Sequence, residues 1–381
     1  MKQFLAVDIG TGTQDVFLLR PGLSPENGFK LVMPSPTMRI RRQIQEATKR
    51  GDSLLLTGVT MGGGPCHWAS EAHINAGLPL YASPQAARTF NDDLEWVQAE
   101  MGVKVVSEDE AAQLRGCHRI EMRDLDLDSL RQAFHSFGVD LQPDVLAVAV
   151  FDHGAAPPGI SDRTFRFEII ARQLRQSNLL TAFAYPTEAI PPELTRLHAV
   201  HQTAQSLDCS MIFMDTAPAA VLGATLDPVV NSLATKMIAN IGNYHTLAFR
   251  FGPEGVEGVF EHHTGMLDQP ALEGWLKELA AGTISNEQVF DDGGHGAQLV
   301  RNNAMDQLTD QPGVVVTGPR RALITGSSMR PYFAVPLGDM MLTGCFGLLL
   351  AAAEHLPEWR MGIMDTLMGR KAAIAPWDIE D

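Results

Sequence analysis

Near its start this chain carries two short apolar strands around a glycine-rich turn, and that hairpin limits the fold more than any other stretch. Phe4-Leu5-Ala6-Val7 and Val16-Phe17-Leu18-Leu19 are β-type runs, separated by Asp8-Ile9-Gly10-Thr11-Gly12-Thr13-Gln14-Asp15. Gly10 and Gly12 leave backbone N–H groups open to close approach, and the Thr11 and Thr13 hydroxyls add donors, a combination suited to phosphate oxygens. Asp8, ending an apolar strand, can then hold Mg²⁺, usually through water; the alternative is an ordinary hairpin with a glycine-rich turn. The pattern returns later as Lys236 to Asn240, then Ile241-Gly242-Asn243-Tyr244-His245, then Thr246 to Phe251, with Val256 to His262 completing a meander. Two such hairpins, one opening each half, predict a duplicated α/β domain.

At 381 residues the chain exceeds one ordinary core. The expected division is a first lobe over 1–207, a second over 208–356 and a C-terminal tail over 357–381. Asp144 to Phe151, nearly all apolar, predicts a central strand buried on both faces. Further strands are expected at Ser53 to Thr57, Val103 to Ser107, Ser210 to Met214 and Val314 to Val316. Helices are expected over Pro84 to Met101, from Glu108, over Gln269 to Ala281 and over Met340 to Glu354. The net charge of −16 argues against a nucleic-acid partner, and the basic stretch Arg39 to Arg50 reads as a solvated helix face. The longest apolar run, Met340 to Ala353, contains Thr343 and Gly344 and is too short to span a bilayer. With no signal peptide legible at the start, the expected location is cytoplasmic.

Candidate catalytic acids are Asp8, Asp152 and Asp215, each ending an apolar strand, where open α/β sheets gather ligands; the alternative for each is an N-cap or turn role. Met61-Gly62-Gly63-Gly64-Pro65 follows a buried strand but lacks the lysine of a P-loop. His153, His245, His262, His263 and His295 sit in or beside turns. On a strand His262 and His263 would point to opposite faces, so regular geometry does not give both to one metal. They read as turn and surface residues; a phosphate-contacting or acid–base role and a transition-metal site are the alternatives.

The first hairpin resembles the first phosphate motif of the superfamily that contains actin, sugar kinases and heat-shock chaperone ATPases: an apolar strand, Asp-x-Gly-x-Thr/Ser, and a second apolar strand. Three further stretches resemble its later motifs in the same order. Asp215 to Ala224 is similar to the first connecting helix, Ile238 to Thr246 to the second phosphate motif, and Val314 to Arg321 to the adenosine motif. Met340 to Ala353 then resembles the second connecting helix. The resemblance implies an α/β fold of duplicated actin-like ATPase (ribonuclease H-like) domains around a central cleft that takes ATP and Mg²⁺. Asp8 would position the metal, while Gly10, Thr11, Gly12, Thr13 and Gln14 face Asn240, Gly242, Asn243, Tyr244 and His245 across the phosphates. Thr317, Gly318 and Arg320 would lie near base or ribose, and Asp152 or Asp215 would orient the attacking water or hydroxyl.

Three residues depart from that pattern, one of them His245, which stands where the family often has Thr or another small residue and could contact a phosphate or a different ligand. Asn240 stands where the superfamily carries Asp, and an amide holds Mg²⁺ weakly and cannot act as a base. Pro319 replaces the second glycine of the adenosine motif, removing a backbone donor. The whole chain also resembles a prokaryotic family labelled as a pyruvate formate-lyase activating enzyme. Activating enzymes of that name resemble radical S-adenosylmethionine enzymes, which hold an iron–sulfur cluster on Cys-x-x-x-Cys-x-x-Cys. The four cysteines here, at 66, 117, 209 and 345, form no such triplet, so no iron–sulfur cluster is expected. The expected function is nucleotide binding, as an ATPase or small-molecule kinase with an unknown small-molecule or protein partner. The alternatives are a non-catalytic ligand-binding protein with a decayed ATPase site, an activating-enzyme-type accessory protein, or other chemistry in the same cleft with His245 or His153 as acid–base.

Overall fold

The computed structural model describes residues 2–305, 312–369 and 374–378. The chain opens with an antiparallel meander, β1 (Phe4–Ile9), β2 (Thr13–Leu19) and β3 (Phe29–Pro34). After α1 (Pro36–Arg50) it builds a smaller parallel sheet from β4 (Ser53–Gly58), β5 (Leu80–Ala82), β6 (Lys104–Val105) and β7 (Cys117–Met122). It returns with β8 (Val145–Val150), α2 (Asp162–Gln176), β9 (Ala184–Pro186), α3 (Thr195–Ala204), β10 (Ser210–Asp215) and α4 (Thr216–Ala224). A second meander follows, β11 (Lys236–Ile241), β12 (His245–Gly252) and β13 (Gly255–His263), then β14 (Gly296–Leu299), β15 (Val314–Thr317) and β16 (Pro331–Phe333). Helices α5 (Thr343–His355) and α6 (Pro357–Leu367) come last.

The strand orders are β3-β2-β1-β8-β10-β9 and β14-β13-β12-β11-β15-β16. In each sheet the first meander strand pairs antiparallel with the second and parallel with a later strand, β1 with β8 and β11 with β15. This is the ribonuclease H-like arrangement, present twice: the fold is α/β, with duplicated actin-like domains. The third sheet, β6-β5-β4-β7, is an insertion between β3 and β8 with a core of its own.

Several boundaries differ from expectation. β10 pairs with β8 and completes the first sheet, so a division between 207 and 208 would cut that sheet. The Pro84 to Met101 stretch is two short helices, Pro84–Ala87 and Leu94–Ala99, the second started by Asp93 accepting from the Glu95 and Trp96 amides. Residues after 356 are not a plain tail, because α6 buries Ile363 and Leu367 in the central core.

That core lies between the two large sheets, where α4 and α5 cross. α5 is apolar around most of its circumference, as a helix enclosed on all sides must be, and ten of its thirteen residues are buried. Glycine inside a helix costs about 1 kcal/mol, yet Gly223 and Gly347 sit at the crossing. A Cβ on Gly223 would fall 1.8 Å from the Thr343 carbonyl oxygen, and one on Gly347 would fall 1.8 Å from that of Ala219. Backbone meets backbone there, and neither side can yield. Among the described residues no helix is long and apolar enough to cross a membrane.

Gly347→Ala should therefore cost about 3 kcal/mol in urea unfolding by overpacking. Gly274→Ala, whose Cβ meets nothing within 4 Å in the helix Gln269–Ala281, should instead gain about 0.5–1 kcal/mol.

Candidate functional site

The two hairpin turns are built alike. The Gly10 amide donates to the Thr13 carbonyl at 2.9 Å, and the Gly242 amide donates to the His245 carbonyl at 2.9 Å. Each turn follows a strand whose penultimate residue is Asp8 in one case and Asn240 in the other. The turns meet: a Cβ on Gly12 would lie 2.4 Å from Asn243 Nδ2. The first turn is held from outside by Ser35, whose hydroxyl donates to the Thr11 carbonyl at 2.6 Å and whose amide donates to that of Gly12 at 3.1 Å. The third loop packs on the second hairpin, with Gly318 at φ +99°, where a Cβ would strike the Ile241 carbonyl oxygen at 2.4 Å. The Arg320 amide donates to that same carbonyl at 3.0 Å.

These three loops line one cleft of about 900 Å³ including its mouth. Asp8, Gly10, Thr11, Gly12 and Thr13 line it from the first lobe, and Asn240, Gly242, Asn243, Tyr244 and His245 from the second. Thr317 and Gly318 close the far end. Two expected residues do not line it. Gln14 is buried within β2, and Arg320 is exposed while Arg321 takes the wall position.

The cleft floor carries a carboxylate that the motif reading passed over. Asp15 lies directly across the hairpin from Asp8, and both line the cleft. A four-residue turn at Gly10 to Thr13 forces that pairing, so hairpin register alone could have found it. Thr216 Oγ1 donates to Asp8 Oδ1 at 2.5 Å, whereas Asp15 Oδ1 is buried with no partner. Burial, and then the charge of Asp215, pushes the Asp8 carboxyl up to about 7 against the Thr216 hydrogen bond. Burial and the Asp8 charge push Asp15 up to about 8. The facing Asp8 and Asp15 carboxyls and the Thr216 hydroxyl are an oxygen set that could hold a hard divalent cation, with the Asp15 Oδ1 oxygen still without a partner.

The other two candidate acids are committed elsewhere and do not line this cleft. Asp215 caps α4 through the Ala217 amide at 3.1 Å and takes the Arg166 guanidinium at 2.7 Å. Asp152 accepts from the Gly154 and Leu197 amides, each at 2.9 Å. Arg166, on α2 and buried, also pairs with Glu261 of β13 at 2.7 Å and lies 3.7 Å over the Phe151 ring. A second, more polar cavity adjoins the cleft behind Gly10, Thr11, Phe151, Tyr244 and His245, reaching Gly62 to Gly64 and Arg196.

The histidines are not surface residues. His295 is buried and His153 and His245 are half-buried, and the three gather with one nitrogen each, all within 4.8 Å of one another. His295 Nε2 is 3.3 Å from His153 Nε2, and His245 stacks on Phe151 at 4.0 Å. Burial first, then the Arg166 and Arg196 charges, lowers His153 to about 3, and burial lowers His245 and His295 as well. All three are therefore neutral at pH 7. The alternation along β13 holds as expected: His262 turns away, towards Asp292 and Trp275, while His263 joins the cluster.

A family model, described as "Putative pyruvate format-lyase activating enzyme (DUF1786)", matches residues 61–323. The chain belongs to that family. Its sequence offers no closely spaced cysteine triplet beside that name. Among curated proteins none matches. Among solved structures, the chain is similar to the ROK hexokinase of Thermus thermophilus, at 11% identity over 93% of this chain and 99% of that one, TM-score 0.30. It is also similar to the ethanolamine utilization protein EutJ of Carboxydothermus hydrogenoformans, at 12% identity over 91% and 89%, TM-score 0.29. A ROK family transcriptional regulator, a homolog of the E. coli MLC protein, matches at 7% identity and TM-score 0.25; 67% of this chain is covered, spanning only 37% of the regulator. The fold assignment rests on strand order and pairing.

Because the folded protein keeps protons on Asp8 and Asp15 that the unfolded chain releases from about pH 4, its stability should fall as pH rises towards 7–8. Asp8→Asn removes one such group and one like charge. The melting temperature of the variant relative to wild type should therefore rise steadily from pH 5 to pH 8 without added metal. A difference that stays flat would contradict the assignment.

Proposed function

We propose that this protein binds a magnesium nucleotide of the ATP type in the cleft between the lobes and acts as an ATPase or small-molecule kinase. The observation that carries the reading is convergence. Two hairpin turns far apart in sequence, and the loop at Thr317 and Gly318, surround a pair of facing carboxyls. Backbone amides of the turns would cradle the phosphates. Asp8 and Asp15 would hold Mg²⁺, which neutralises phosphate charge when bound. The β and γ phosphates would lie near Gly10 and Thr11, which also border the second cavity, so an acceptor hydroxyl bound there would be close to them.

A second reading has its own support. Asn240 supplies no base, and both Asp152 and Asp215 are spent on capping and ion pairing. On that reading the cleft binds nucleotide without turning it over and signals through lobe closure. A turnover assay separates the two.

Titration calorimetry with Mg-ATP should give a dissociation constant below a millimolar. A Cβ on Gly10 meets only the Thr13 carbonyl oxygen, at 3.4 Å, and otherwise points into open cleft. Gly10→Val should thus weaken binding at least tenfold, about 1.4 kcal/mol, with the melting temperature little changed. No heat at millimolar nucleotide, or equal affinity in the variant, would overturn the proposal.

A further inference from the structure

We propose that His153, His245 and His295 form a binding site for one zinc-class divalent transition metal ion, with its fourth coordination position open to the second cavity. The three residues come from three separate elements. His153 follows β8, His245 opens β12, and His295 immediately precedes β14. One ring nitrogen of each falls within a 4.8 Å group.

One pair of nitrogens already has a metal's spacing, and the third stands within 4.8 Å of both. Two nitrogens bound at about 2.0–2.1 Å to a tetrahedral zinc lie about 3.3–3.4 Å apart. His153 Nε2 and His295 Nε2 are 3.3 Å apart. A plain imidazole–imidazole hydrogen bond has the same length, but it leaves His245 Nε2 without a partner. His245 Nε2, His295 Nδ1 and Glu261 Oε1 are all buried with no hydrogen-bond partner. Three orphaned polar atoms in one small volume would each cost about 1–3 kcal/mol. A metal bound through Nε2 of His153 and His295 would give His245 Nε2 a partner and leave the His295 Nδ1–H facing Glu261.

The outer shell fits as well. His295 Nδ1 faces Glu261 Oε1 at 3.8 Å, and Glu261 Oε2 is held by Arg166 Nε at 2.7 Å. A carboxylate behind a ligating histidine is the usual way to set its tautomer and orientation. The donor set selects the ion class: imidazoles without a thiolate suit zinc and its neighbours, whereas a hard cation such as Mg²⁺ prefers the oxygens of Asp8 and Asp15. Three protein ligands mark an open site, not a closed structural one. His153 and His245 both line the second cavity, so solvent or a ligand oxygen there reaches the remaining position. The proposal stands apart from the nucleotide reading, since metal binding is measured with no nucleotide present.

The test uses the full-length protein, stripped with chelator and dialysed. Titration with Co²⁺ should give the intense visible bands of a four-coordinate ion, saturating at one per chain, and Zn²⁺ should displace it one for one. His153→Ala and His295→Ala should each reduce retained metal at least tenfold, and Glu261→Gln should weaken it about 10–100-fold. His118→Ala, on the exposed surface, should leave it unchanged. X-ray absorption at the zinc edge of wild-type protein needs no variant and should show an all nitrogen and oxygen shell with three imidazoles. Absence of stoichiometric Co²⁺ or Zn²⁺ binding, a sulfur ligand, or metal fully retained in both histidine variants would overturn the proposal.

Discussion

The contact on which the rest of this molecule depends is the backbone-to-backbone crossing of α4 and α5. Side chains at Gly223 or Gly347 would drive the helices apart by more than the core could absorb. Their approach also sets the floor of the cleft. α4 begins at Thr216, whose hydroxyl reaches Asp8, and Gly344 in the first turn of α5 lies so close that a Cβ would fall 1.8 Å from Asp8 Oδ2. Both helices thus direct their N-termini, the positive ends of their dipoles, towards the facing carboxyls of the first hairpin. A change at the crossing would be transmitted straight to the phosphate-facing turns, which explains why so apolar a pair of helices keeps two residues that are poor helix formers.

A second organising element is Arg166. It joins α2 to β10 and β13, so one guanidinium links strands of both large sheets while also covering Phe151. Removing charged groups from water is expensive, and such a buried triad contributes less to stability than its short distances suggest. Its effect is positional. It holds Asp215 at the start of α4 and Glu261 behind His295, so the floor of the cleft and the histidine cluster share one anchor.

Much of this architecture was legible in the residues because it is local. The strand–glycine–strand hairpins, the apolar run of β8 and the small-residue helices all have short-range signatures, and strand alternation correctly separated His262 from His263. What was not legible depends on long-range contact. The third sheet joins the expected strands at Ser53–Gly58 and Lys104–Val105 to two that were not expected, Leu80–Ala82 and Cys117–Met122, the first of them below the length at which alternation is informative. Asp215 and Asp152 ended apolar strands just as Asp8 did, and only the fold shows that amides and Arg166 claim them. The histidine cluster unites turns from three parts of the chain, and His295 and His153 lie 142 positions apart with no shared spacing to betray them.

The placement of α5 has a consequence for how the chain is made. Cys345 reaches the Ala6 carbonyl across 339 positions, and Phe346 meets Phe17 edge-on at 5.3 Å. The first hairpin therefore leaves the ribosome long before the helix that covers its inner face exists. Until residues 343–355 are made, Phe4, Ala6 and Phe17 lack that cover, and the nascent first lobe presents an apolar sheet face to its surroundings. Assembly of the first lobe therefore waits for residues 343–355, and a chain stopped short of residue 343 would lack the helix that covers its first sheet.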